Sequence, residues 1–220
     1  MIRPTFRQIT IAFSLAIAAC TAIVPTPAQA QPDPDCANPM TQTDMNLCAA
    51  RDLQQEDDRL NEFYGRLIPN ISIAEENLLI DAQLAWINYR DAECEFSASA
   101  YLGGSIAPLI DANCRQALTS TRADELLAYL EDRSLEIYSY DLDTVERQEM
   151  RFFDANEANL SDNAMRLERL QSAETAWENY LDAACAFESL PGNPIGLENC
   201  QIRLTAQRLD RLTNHLLLPY

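Results

Sequence analysis

The chain has 220 residues, 47% of them apolar and 23% charged, the mix of a packed protein of one or two small domains rather than a disordered one. Acids outnumber bases 34 to 16, for a formal charge of −18, which excludes a protein that tracks nucleic-acid phosphates. All 16 bases are arginine and His215 is the single histidine; lysine chemistry and multi-histidine metal sites are therefore excluded, and five glycines against eleven prolines disfavour a turn-rich all-β fold.

Taken in chain order, the first segment reads as an address. Arg3 and Arg7 precede an apolar run from Ile9 to Val24, and Ala28-Gln29-Ala30 supplies a small-x-small exit. That is the grammar of a secretory signal over residues 1–30. The run is too short and too interrupted by Thr10, Ser14 and Thr21 to read as a membrane span. A second cleavage reading stays open, because Ile17-Ala18-Ala19-Cys20 resembles a lipobox and would leave a lipid anchor on Cys20. The Ala-Gln-Ala exit is the better fit, and either route exports the protein. Cleavage after Ala30 removes two arginines and no acids, taking the charge from −18 to −20.

Beyond the signal the pattern is helical. Met45, Cys48, Ala49, Leu53, Leu60, Phe63, Tyr64 and Leu67 recur in three- and four-residue steps, with Thr41 or Thr43 as cap and Pro69-Asn70 as stop. A long second helix is predicted from Ile73 to Ala100. Gly103-Gly104 breaks it, and Ser105 with Pro108 three places on reads as the next start. The third helix runs to Leu130. Residues 133–143 lack a helical stripe and read as a connector. Further helices are expected near Thr144–Ala158, Asp162–Glu188 and Ile195–Leu218, with the turn Pro191-Gly192-Asn193-Pro194 before the last.

The two halves repeat. Ala85 to Phe96 recurs as Ala176 to Phe187, identical at eight of twelve positions at an offset of 91. Pro108, Asn113, Cys114, Leu118, Thr119, Arg122, Asp124 and Leu126 recur as Pro194, Asn199, Cys200, Leu204, Thr205, Arg208, Asp210 and Leu212, at an offset of 86. The chain therefore holds two related modules. Six cysteines remain after cleavage at Ala30, and an even count in an exported chain reads as disulfides. Equivalent cysteines should pair equivalently, which gives Cys94–Cys114 and Cys185–Cys200 and leaves Cys36–Cys48. The expected fold is all-α: two tandem disulfide-pinned antiparallel modules of about three helices each, residues 31–132 and a diverged copy at 144–220.

Cys36, Met45, Cys48, Leu60-Asn61 and Tyr64 are followed by Gln83-x-x-Trp86-x-x-Tyr89-Arg90-Asp91-x-x-Cys94, Gly103-Gly104-Ser105 and Cys114-x-x-x-x-Thr119-x-x-Arg122. In this order the residues from Cys36 to Leu130 resemble the N-terminal domain of the lysozyme inhibitor LprI family, a group of exported, cysteine-paired bacterial helical proteins. The second module departs from the pattern: Leu181 stands for Arg90, Gln201 for Arg115, and both the Gly-Gly-Ser turn and the N-terminal cysteine pair are missing. The resemblance implies binding to a lysozyme-type muramidase.

The residues suggest where such a contact would lie. A strongly acidic chain is steered electrostatically onto a basic partner, although the same surface also maintains solubility. The loop Tyr101-Leu102-Gly103-Gly104-Ser105 is longer than its counterpart, its glycines allow close backbone approach, and an exposed aromatic is a good anchor. Tyr101, Gly103, Gly104 and Ser105 are therefore candidate partner-binding residues, together with Arg90 and Arg115, which flank the Cys94–Cys114 bridge and could meet glycosidase carboxylates. A helix-reversing turn and surface ion pairs with Asp91 or Asp111 are the competing readings. Trp86, Trp177, Tyr89 and Tyr180 read as core, and Arg122 and Arg208 as partners of acids on neighbouring helices. Asp33, Asp35, Asp141 and Asp143 do not make a calcium loop, and His215 reads as a helix-end residue. No nucleophile motif, phosphate loop or metal cluster is present, so neither catalysis nor a cofactor is expected. A periplasmic, envelope or secreted inhibitor is the leading reading; an envelope interaction or structural protein with another basic partner is the alternative, and a carboxylate-dependent wall hydrolase a distant third.

Overall fold

Side chains cap most of the helices. Thr41 accepts from the Asp44 amide while the Asp44 carboxylate accepts from the Thr41 amide, opening α1 over Gln42–Leu67. Ser72 and Glu75 form the same reciprocal box at the start of α2, Ile73–Ser99. Between them, Pro69 tightens the chain into a single 3-10 turn, Ile68–Asn70. Helix α3, Ala107–Leu130, starts differently from the sequence expectation. Its N-cap is Ile106, with no side-chain cap, because Pro108 in the first turn supplies a preset φ and lacks one of the unsatisfied amides. Ser105 is thus left in the preceding loop.

The second half has α4 at Leu142–Asn159, α5 at Ala164–Glu188 and α6 at Gly196–Leu216. Helix α4 begins two residues before the predicted Thr144, because Asp141 caps it by accepting from the Thr144 amide at 2.9 Å. The computed structural model describes residues 34–132, 135, 138–190 and 196–216, the last three by backbone only. The signal segment, Cys20, the Pro191–Pro194 turn and the His215 side chain lie outside the described residues. Among those described, the structure is all-α, without strands.

All three expected disulfides form: Cys36–Cys48, Cys94–Cys114 and Cys185–Cys200, with Cα–Cα separations of 5.5, 5.5 and 5.6 Å. Helix α1 packs chiefly on α3, and α2 packs most extensively on its repeat counterpart α5. The α2–α5 pair is antiparallel: Ser99 near the end of α2 meets Arg166 near the start of α5, while Tyr89 stacks on Tyr180 farther along, at 5.6 Å and 5°. One hydrophobic interior runs through both copies, from Leu60, Leu79 and Trp86 to Trp177, Tyr180 and Leu204. The aromatic row is core, as its helical spacing implied: Trp86, Tyr89, Trp177 and Tyr180 are all at most 3% exposed.

The copies also exchange cations across their interface. Arg122 of the first lies over the Tyr180 ring of the second at 5.8 Å, and its equivalent Arg208 lies over Tyr89 at 5.7 Å. Arg122 pairs with Glu125 at 2.9 Å, and Arg203 bridges Glu125 and Glu188 at 2.6 and 2.5 Å. Arg208 faces three carboxylates, Glu93 at 3.4 Å, Glu149 at 3.1 Å and Glu174 at 2.8 Å, on α2, α4 and α5. These arginines are fully buried. Paired burial of this kind contributes little net stability over apolar packing, but losing one partner is costly; Arg203–Glu125 and Arg208–Glu93 are the pairs here that span the two copies.

Candidate partner-binding site

The Tyr101–Ser105 loop joins α2 to α3 at the end of the first copy that also holds the start of α1. The Gly104 amide donates to the Tyr101 carbonyl at 3.0 Å, and Gly103 has φ +83° while Leu102 does not share the positive sign. That is the arrangement of a type II turn, which needs glycine at its third position. A Cβ on Gly103 would meet nothing, whereas one on Gly104 would press on the Tyr101 carbonyl oxygen at 3.1 Å.

Three ties hold this turn. The Cys94–Cys114 bridge joins the helices on either side of it. Asn46 on α1 donates its amide to the Ser105 carbonyl at 3.0 Å. Cys36–Cys48 pins the approach to α1 at the same end. Gly103, Gly104 and Ser105 are exposed and Tyr101 is half-buried. The large apolar side chain that the loop presents to solvent is Leu102, 52% exposed.

Arg90 and Arg115 do not reach this tip. At ~1.5 Å per helical residue they lie roughly 12–14 Å along the helices from the loop. Both converge on Asp91: the Arg90 Nε donates to it at 3.0 Å, and Arg115 also binds it. Arg90 further reaches Asp57 on α1 at 3.2 Å and lies over the Trp86 ring at 5.1 Å. Arg115 donates to Asp111 at 2.8 Å. Burial opposes the Arg115 charge, yet Asp111 and Asp91 outweigh it and raise its pKa. The pairing with Asp91 and Asp111 that competed with a partner-binding role is the one present, and it ties α1, α2 and α3 together.

The buried carboxyls with shifted pKa values lie elsewhere, around Arg203 and Arg208 where the two copies meet. Burial pushes Glu149 up to about 7, with the neighbouring Glu174 adding to the shift and Arg208 opposing it. Glu174 and Glu188 are also raised, first by burial. Glu125 goes the other way: burial opposes its charge, but Arg203 and Arg122 hold it below the ordinary range. These shifts belong to groups committed to buried arginines, a structural cause rather than the separated acid and base of a hydrolase cleft.

A model of the lysozyme inhibitor LprI family matches residues 35–126 and, a second time, residues 131–212. The chain belongs to the lysozyme inhibitor LprI family. The two matches fall on the two repeat copies, so the second, although it lacks Arg90, Arg115 and the Gly-Gly-Ser turn, is itself an LprI segment. An uncharacterized protein of Rhizobium meliloti (strain 1021) is 35% identical over 125 residues, covering 51% of this chain and 88% of that protein. A crystal structure of an uncharacterized Burkholderia thailandensis protein matches 80% of this chain and 87% of its own at a TM-score of 0.60 and 16% identity, a likeness of fold alone. Three disulfides together with LprI membership point to an extracytoplasmic location. Among the described residues no helix is long and apolar enough to cross a membrane.

Two features of the loop do not show in the sequence. Leu102, and not Tyr101, is its exposed apolar group, and Asn46 anchors it from 59 residues away. Nothing local in the sequence marks Asn46, because its role depends on where α1 packs.

Proposed function

We propose that this LprI-family protein is an exported inhibitor that binds a basic lysozyme-type muramidase and occludes its cleft. The observation carrying the proposal is the pinned loop of the first copy. Its backbone is held from three sides, it offers Leu102 beside Tyr101 and exposed glycines, and the second copy lacks it. Pre-organisation of this kind limits the ordering entropy lost on binding. Arg90 and Arg115 serve from behind, keeping α1, α2 and α3 in register beneath the loop. The charge, −20 after cleavage at Ala30, steers a basic partner inward and raises the on-rate.

The test is inhibition of an animal-type lysozyme by the wild type, Tyr101→Ala and Gly104→Arg. Loss of inhibition in both variants, with melting temperatures preserved, supports the proposal. Undiminished inhibition by Gly104→Arg contradicts the loop as contact. The same charge would also suit another basic envelope partner, and a wild type that leaves lysozyme fully active favours that second reading.

A further inference from the structure

Helix α1 packs on α3 and α2 packs on α5 and α3, so α1 and α2 stand apart. Between them runs an open groove of about 480 Å³. Leu60 and Trp86 form its buried floor, Tyr64 and Ile80 its half-buried walls, and Leu84 and Ile87 its exposed lip, 58% and 36% accessible. The motif that carries the family resemblance is concentrated here, since Asn61, Gln83 and Arg90 also line the groove.

Comparison of the two copies shows that packing does not require the apolar lip. The core positions Leu79, Ala82 and Trp86 recur as Leu170, Ala173 and Trp177, whereas Ile80, Leu84 and Ile87 are replaced by Gln171, Thr175 and Glu178. At the equivalent place in the second copy Gln171 donates to Glu157 of α4 at 3.1 Å. In the first copy a row of apolar side chains one helical turn apart therefore faces the groove and solvent, at positions the sister helix fills with polar residues. On the flanks, Asp57 lines the groove, and Glu76 lies close enough to Tyr64 to add to the rise that burial gives the tyrosine pKa, whereas Glu56, Glu62, Asp91 and Glu93 of the same two helices are committed to arginines. Helices α1 and α2 together carry twelve acids and four arginines, and Arg59, Arg66 and Arg90 are already paired with acids.

We infer that the α1–α2 groove is a second docking surface for the same basic muramidase, taking an apolar side chain of the partner flanked by arginine or lysine. This rests on the inhibitor reading above and extends it to a face distinct from the Tyr101–Ser105 loop. The apolar side chain fills the space between Leu84, Ile87 and Tyr64, and the adjacent cations meet the acidic flanks, which gives the site both area and steering.

The test exchanges the lip for what the sister copy carries. The full exported protein, disulfides intact, is titrated calorimetrically against an animal-type lysozyme at physiological salt, as wild type, as Leu84→Thr, and as Ile80→Gln/Leu84→Thr/Ile87→Glu. Ile87→Glu adds a negative charge that by itself favours a basic partner, so weakening reports the lost apolar contact. The triple variant is expected to bind more than ten-fold more weakly and Leu84→Thr several-fold more weakly, with unchanged circular dichroism. Leu84→Thr guards against misfolding of the triple variant, because Leu84 is exposed. Wild-type binding with both variants unchanged overturns the groove and leaves the loop proposal standing. A wild type that does not bind the lysozyme overturns both.

Discussion

Glu149 offers a direct way to test the buried charge cluster around Arg208. Its carboxyl is 14% exposed, 3.1 Å from Arg208, and shares that guanidinium with Glu93 and Glu174. Burial and the neighbouring Glu174 raise it from an ordinary 4.5 to about 7 despite Arg208. A carboxyl whose folded-state pKa lies above its unfolded value favours the fold while protonated, and that contribution is lost as pH rises from about 4.5 through 7. At ~1.36 kcal/mol per pKa unit the ceiling is roughly 3 kcal/mol. Glu149→Gln keeps the neutral form at every pH. The variant should lie within ~1 kcal/mol of the wild type at pH 5 and exceed it by up to roughly 3 kcal/mol at pH 8, or by ~6–12 °C in melting temperature for a chain of this size. Thermal and urea unfolding from pH 5 to pH 8, with disulfides intact, reads the difference. A gap that does not change with pH would mean that the carboxyl is not shifted by folding, and a variant less stable than wild type at pH 8 would mean that the Glu149–Arg208 attraction outweighs burial; either result overturns the prediction.

Three other outcomes follow from the same structure. Arg208→Met leaves Glu93, Glu149 and Glu174 without their shared guanidinium and should cost about 3–5 kcal/mol in urea unfolding, more at pH 8 than at pH 5. Removing the Cys94–Cys114 bridge as the double alanine variant should cost about 3 kcal/mol, the chain-entropy expectation for a loop of its size; amide exchange in residues 101–105 should accelerate as well. Gly103→Ala meets no atom but must adopt φ +83°, so it should lose about 1 kcal/mol, whereas Gly65→Ala inside α1, with equally open space, should gain ~0.5–1 kcal/mol.

Much of this fold was legible because the signals were local or repeated. Thr41 and Pro69 bounded α1, the glycine pair ended α2, and duplication of the cysteines chose the disulfide pairing. The recurrence of Trp86 and Tyr89 as Trp177 and Tyr180 marked them as core. What escaped depended on the third dimension. Ser105 suits a cap by residue type, yet Pro108 makes a cap unnecessary and Asn46 binds the Ser105 carbonyl. Asp141 falls within 133–143, a stretch without a helical stripe, and its capping geometry shows only once α4 is built. Arg90 and Arg115 are exposed-looking charges in sequence; Asp57, 33 residues away on α1, cannot be seen as a partner without the packing of α1. The groove is invisible for the same reason, since it exists because α1 leans on α3 and away from α2.

Inhibition of a lysozyme-type muramidase is read by the lysis of bacterial walls by an animal-type lysozyme, with and without the oxidised protein. Salt is held near physiological strength, where the Debye length is about 8 Å, and an unrelated acidic protein of similar charge serves as control. A specific inhibitor gives dose-dependent inhibition that exceeds the control, persists at this salt and disappears with Gly104→Arg. Inhibition no greater than that of the acidic control, or none, would contradict the inhibitor proposal.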